Sequence, residues 1–305
     1  MIAVPSASDP TEYSADWVEL DALCSPDKQS SVANFAKLIR RTGSTDAIEG
    51  PRGDAGSELS QRIAEDTFAE IENRKRACGS NRYPFEVQKG LVRLKTDQAN
   101  SPYIVLLIMS VMKPTTGHSG TAALFEHLCT QATLGYLGGA ANNATAIRFG
   151  SPRQVPRARL SQAIDELCKG LAEGDGCQRP EKAKHLGDED LDIVAWRHFP
   201  DSKAGKLILF GQCAGGATDW QKKLADMDAR AFMKKWLRTM LVVEPIRLFF
   251  VPRRIPVADW NNAGIDGGIL FDRCRIVACL DGVSAKLIEQ GATIAKDALK
   301  KLGKK

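Results

Sequence analysis

Gly187-Asp188-Glu189-Asp190-Leu191-Asp192-Ile193-Val194-Ala195-Trp196 and Lys206-Leu207-Ile208-Leu209-Phe210-Gly211-Gln212-Cys213 decide the fold class. Each is a short apolar run rich in β-formers, and the nine residues between them contain Pro200, Asp201 and Gly205. That pattern predicts a β-hairpin over 192–196 and 206–213. Asp192 is flanked by Leu191 and Ile193, so it is expected inside the sheet and not in the acidic loop before it. A carboxylate there is desolvated and costly unless a cation or a hydrogen-bond donor meets it. Asp188 and Glu189 read as an ordinary strand-capping loop.

Outward from the hairpin, Ala144–Phe149 reads as a further strand ending in Gly150-Ser151-Pro152-Arg153, and Arg247–Val251 as another. An apolar run longer than ten residues predicts a helix over 101–112 and a period near 3.6 another over 121–136, with further helices expected over 160–171, 218–237 (capped by Thr218 or Asp219), 271–280 and 284–302. Residues 1–100 read as mostly helical, through Trp17, Leu20 and Leu23, then Val32, Phe35, Leu38 and Ile39, then Ile63, Phe68 and Ile71. A small-residue loop is expected at Gly43–Gly56 and a break at Cys78–Pro84. The expectation is an α/β (α+β) chain: a helical accessory region over 1–100, then a mixed sheet flanked by helices over 101–305.

The 305 residues carry 42 Lys and Arg against 37 Asp and Glu. Residues 1–100 have a net charge of −3 and residues 101–305 a net charge of +8. An apolar fraction of 43% excludes wholesale disorder. No run approaches the ~20 apolar residues of a bilayer span, and Met1–Asp9 lacks a secretory pattern, so no membrane association is expected. Eight cysteines without a CxxC pair read as reduced thiols of a cytoplasmic protein. The five lysines of Lys296–Lys305 read as a solvated helix end.

Three constellations could carry chemistry. Phe210-Gly211-Gln212-Cys213-Ala214-Gly215-Gly216 follows a strand as a phosphate-binding turn does, yet it matches neither GxGxxG nor GxxxxGK[ST]. Cys213 sits at a strand end before a helix, a place for a nucleophilic thiolate. All four histidines precede it and no local signature supports it, so a core thiol is expected. The third is acidic. Asp192 opens one strand, Gln212 ends its partner, and Glu126 lies on the preceding helix. Hard oxygen donors converging in this way suit Mg²⁺ or Mn²⁺.

The order of Phe125-Glu126 on a helix, a strand, Gly187-Asp188-x-x-Leu191-Asp192 and a strand ending Gly211-Gln212 resembles the PD-(D/E)xK nuclease superfamily, in its Mrr-type restriction endonuclease-like branch. The resemblance covers roughly residues 119–251, under half the chain. It implies a restriction-endonuclease-like mixed sheet and Mg²⁺-dependent hydrolysis of DNA. Glu126 and Asp192 would be metal ligands, and Gln212 would position metal or water. In this family a lysine follows the glutamine by two residues, where this chain has Ala214. Lys222 or Lys223 would then have to supply the missing charge. Arg153, Arg247, Arg253 and Arg254, with Arg157, Arg159, Arg273 and Arg275, are candidate phosphate contacts, whereas Trp220, Trp236 and Trp260 are expected in the core. By the same resemblance the chain would act in bacterial defence against foreign DNA. Its partner would be an ATPase or sensor protein, with a homo-oligomer as an open alternative. A catalytically degenerate scaffold or DNA-binding subunit, and a cysteine-dependent enzyme at Cys213, are the competing classes.

Overall fold

The computed structural model describes residues 4–42, 55–111, 119–150, 160–178, 190–201, 203–216, 219–280 and 282–303. The chain is mixed α+β, with ten α-helices and two sheets among the described residues. It divides into two compact units, and the division is not at residue 100. The first unit comprises Met1–Met112, Arg253–Ala258 and Ile288–Lys305; the second comprises Lys113–Pro252 and Asp259–Leu287.

The first unit contains α1 (Thr11–Cys24), β1 (Gln29–Ser31), α2 (Val32–Thr42), α3 (Ala55–Cys78), β2 (Phe85–Gln88), β3 (Leu91–Leu94) and α4 (Pro102–Val111). It is not simply helical: β1, β3 and β2 form an antiparallel three-stranded sheet in that order. Lys89 and Gly90 both adopt positive φ, as a two-residue hairpin turn requires. Tyr103 to Ser110 of α4 are buried without interruption, so this helix is enclosed on all sides. Arg74 is fully buried on α3. Its Nη1 donates to Asp16 Oδ1 at 2.7 Å and to Glu19 Oε2 at 2.9 Å, and its Nε to Glu70 Oε1 at 3.0 Å. Tyr83 and Tyr103 hydroxyls complete the shell by donating to Glu19 at 2.6 and 2.8 Å. A charge so deeply buried persists only with partners of this quality.

The second unit contains α5 (Ser119–Tyr136), β4 (Ala144–Arg148), α6 (Leu160–Leu171), β5 (Ile193–Arg197), β6 (Leu207–Cys213), α7 (Ala229–Trp236), β7 (Ile246–Phe250), α8 (Val257–Gly267), β8 (Ile269–Phe271) and α9 (Arg273–Cys279). The last helix, α10 (Ala285–Gly303), begins here and continues in the first unit. Five strands pair in chain order: β4–β5 and β5–β6 antiparallel, β6–β7 and β7–β8 parallel. The expected hairpin is present, with Ile193 opposite Gly211. Gly211 is a packing glycine: a Cβ there would stand 2.9 Å from a Phe250 ring carbon and 3.2 Å from Ile193 Cβ. On one face Val194, Trp196, Ile208 and Phe210 pack with Ile164 and Leu167 of α6 and Phe232 and Trp236 of α7. On the other, Phe250 stacks on Phe271 at 4.8 Å, and Tyr136 of α5 meets the Phe271 ring edge-on.

The single helix expected over 218–237 is instead a 3-10 turn at Trp220–Lys223 followed by α7. Asp228 explains the division, because its carboxylate accepts the Ala231 N–H and starts a new helix. The helix expected from Phe271 starts at Arg273, since Ile269–Phe271 is an edge strand and Asp272 is the N-cap. Trp220 and Trp236 are core residues as expected, but Trp260 is half-buried with the Arg275 guanidinium 4.4 Å above its ring. The Gly43–Gly56 loop falls largely, and Asp188 and Glu189 fall wholly, outside the described residues, as does the Thr218 cap. No helix among the described residues is long and apolar enough to cross a membrane.

Candidate acidic site

Asp192 stands at the joint between β4, β5 and β6. Phe149 and Gly150 N–H both donate to its carbonyl oxygen, at 2.7 and 3.0 Å, while its own N–H donates to Gly211 O at 2.9 Å. Two donors on one carbonyl break the regular ladder, the kind of irregularity that re-aims a side chain. The carboxylate accordingly turns so that Oδ2 accepts the Cys213 backbone N–H at 2.7 Å.

Glu126 reaches the same place from α5, where Phe125 and Leu128 are buried and anchor the helix turn. Gly150 shows how closely the two acids converge. A Cβ at Gly150 would lie 2.9 Å from Asp192 Oδ1 and 3.1 Å from Glu126 Oε2. One carboxylate oxygen of each acid therefore points to a single spot that only glycine leaves open. Glu126 is 8% exposed and pairs with Arg148, whose Nη1 lies 2.8 Å from Oε2. Gln212 adjoins Gly211 at the end of β6 and is 3% exposed, and its Oε1 has no hydrogen-bond partner. A buried amide oxygen in that condition is costly, and a bound water or cation would relieve it.

These oxygen donors fit a hard divalent cation. Mg²⁺ is typically held by one or two carboxylates, with water and substrate phosphate oxygens filling its other positions. Among the described residues no three His, Cys, Asp or Glu side chains form a metal-ligand cluster; the carboxylates described at this point are Glu126 and Asp192.

The expected lysines do not join the acids. Lys222 is exposed and Lys223 half-buried on the 3-10 turn, and neither forms an ion pair or hydrogen bond with Glu126 or Asp192. Ala214 is fully buried, and its N–H continues the sheet by donating to Phe250 O at 2.9 Å.

Of the candidate arginines, Arg153, Arg157 and Arg159 lie outside the described residues. Arg247 donates to the Leu224 carbonyl. Arg253 and Arg254 belong to the first unit, where Arg254 pairs with Glu70 at 3.2 Å, whereas the acids belong to the second. Arg273 is fully buried and donates to Pro252 O, so it is a structural residue.

Cys213 does not resemble a thiolate nucleophile. Its thiol pKa is pushed well above the ordinary value by burial, by a hydrogen bond with Cys129, and by the charges of Asp192 and Glu126. A nucleophilic cysteine needs the opposite shift.

Two residues of this site escaped the sequence reading. Arg148 and Gly150 lie at the end of a strand recognised only as a strand. The sequence offered little signal for either beyond one charged residue in the run Ala144–Phe149 before Gly150. His127, beside them on α5, has its pKa lowered by burial first and then by Arg148 and Lys286. Compared with known protein families, with curated proteins and with solved structures, the chain matches none.

Proposed function

We propose that the second unit is a restriction-endonuclease-like domain that hydrolyses DNA phosphodiester bonds with Mg²⁺ or Mn²⁺. The observation that carries this reading is the convergence of Glu126 Oε2 and Asp192 Oδ1 over Gly150. The strand order, two antiparallel pairings followed by two parallel ones, and the placing of the acids on α5 and at the head of β5 agree with the resemblance drawn from the motifs.

In this reading Glu126 and Asp192 hold the cation, which would activate water and neutralise phosphate charge. The Cys213 N–H fixes Asp192 through Oδ2 and so presents Oδ1. Gln212 Oε1 would orient a water. Phosphate contacts beyond the site fall to basic side chains of the +8 segment. The resemblance also carries the role in bacterial defence, with an ATPase or sensor partner.

The buried Ala214, and Lys222 and Lys223 that pair with neither acid, favour one rival reading, a degenerate nuclease fold kept for DNA binding or scaffolding. Plasmid DNA incubated with the full chain and Mg²⁺ or Mn²⁺ separates the two. Cleavage that is lost in Asp192→Ala supports the nuclease. Salt-sensitive binding without cleavage supports the scaffold, and cleavage that survives Asp192→Ala sinks the site assignment.

A further inference from the structure

Neither Lys222 nor Lys223 pairs with the acids at the head of the sheet, yet a described cation does pair with one of them. Arg148 ends β4, opposite Ile193 of β5, and its guanidinium pairs with one of the two acids, 2.8 Å from Glu126 Oε2. Its side chain is 5% exposed and that of Glu126 10%, so the pair is shielded from water and its field is strong at short range. Arg148 is also two residues from Gly150, over which the two carboxylate oxygens converge, so one strand end delivers both the cation and the cradle.

We propose that Arg148 is the fixed positive charge of this active site, in the role that its sequence leaves open at Ala214. The proposal rests on the nuclease reading and adds to it a catalytic residue that contacts the scissile phosphate. A guanidinium presents five N–H donors in a planar fork. The same fork matches two oxygens of a phosphate, which an ammonium contacts only as a point charge.

Hydrolysis forms a bond from the water oxygen to phosphorus as the bond from phosphorus to one sugar oxygen breaks. The products are a phosphomonoester and an alcohol, with one water proton on the alcohol and the other on the phosphate or in solvent. Negative charge builds on the non-bridging oxygens during this step, and a preorganised donor there acts on rate more than on binding. Glu126, Asp192 and Arg148 together carry one net negative charge. A divalent cation therefore remains attracted with Arg148 in place.

The test uses the full chain with Arg148→Met and Arg148→Lys, beside Asp192→Ala. It reads single-turnover cleavage, duplex affinity and Mn²⁺ affinity by titration, with thermal unfolding as the check on folding. Arg148→Met should lower the cleavage rate by about 100-fold or more. Duplex and Mn²⁺ affinities should stay within about threefold, and Arg148→Lys should recover at least about a tenth of the lost rate. Cleavage at the wild-type rate in Arg148→Met overturns the proposal. So does a loss matched by an equal loss of Mn²⁺ affinity, or a lysine variant no better than methionine; either marks Arg148 as a structural partner of Glu126. If Arg148→Met does not fold, Arg148→Lys alone decides: a rate reduced by about three- to tenfold with affinities kept supports the role, and a wild-type rate, or a rate loss matched by an equal loss of affinity, overturns it. Loss of cleavage in Asp192→Ala but not in the arginine variants rejects Arg148 and keeps the nuclease. A wild-type chain that does not cleave rejects both.

Discussion

Gly150 is where the account can be tested with the smallest change in atoms. Its missing Cβ leaves space between Asp192 Oδ1 and Glu126 Oε2, and an added methyl would stand 2.9 and 3.1 Å from them. The φ of Gly150 is not positive, so alanine brings no backbone strain and acts only through that contact. Gly150→Ala is therefore expected to weaken divalent-cation affinity by about tenfold or more, the usual cost of disturbing groups that orient metal ligands. Its unfolding temperature should change little, and titration with Mn²⁺ checks both. At this scale the acids were legible because a carboxylate between Leu191 and Ile193 demands a partner, and because Phe125-Glu126 marks the helix that supplies one. Arg148 and Gly150 were not. Their roles depend on how β4 leaves the ladder at Asp192, which no local pattern encodes. Lys222 and Lys223 lie on a 3-10 turn and not on a regular helix, because the helix starts only after them, at the Asp228 cap.

Among the elements, the clearest energetic statement concerns the joint between α6 and β6. Glu173 follows α6; its Oε1 accepts from Lys206 Nζ at 2.5 Å and from Gly205 N–H at 3.0 Å, while Oε2 accepts from Val242 N–H at 3.1 Å. Burial raises the pKa of this carboxyl. The hydrogen bonds from Lys206, Val242 and Gly205 outweigh it and hold the group below its ordinary 4.5. A folded-state pKa below the unfolded one contributes stability that is complete above the ordinary carboxyl range. It is lost as pH falls through the depressed value. Glu173→Gln should thus cost about 3 kcal/mol near neutrality, as expected when a buried ion pair loses one member. It should also flatten the fall of stability below pH 4.5, as denaturant unfolding from pH 7 down to pH 3 will show. Long, periodic elements such as α5, α6 and the β5–β6 hairpin could be read directly. The three-residue strands β1 and β8 could not, because three residues carry too little alternation to separate a strand from a loop. Phe85–Leu94 held a better clue: alternating residues on either side of Lys89-Gly90, a hairpin signal masked by the helical neighbourhood.

On the scale of the molecule, the charge asymmetry of the sequence acquires a structural counterpart. The acidic segment contributes most of the first unit, with three carboxylates gathered on the buried Arg74. The basic remainder contributes most of the second, which holds Glu126, Asp192 and Arg148. α4 and most of α10 belong to the same compact unit as the acidic segment. Gly291 of α10 approaches Val105 of α4 so closely that a Cβ would stand 2.7 Å from it, a contact far apart in sequence. The proposed activity requires that Glu126 and Asp192 form a divalent-cation site. Titration of the full chain with Mn²⁺, followed by electron paramagnetic resonance, tests it most directly. One bound Mn²⁺ in the wild type, with affinity reduced at least about tenfold in both Glu126→Gln and Asp192→Asn, is the predicted result. Mn²⁺ binding that is absent, or that both variants leave unchanged, would contradict it.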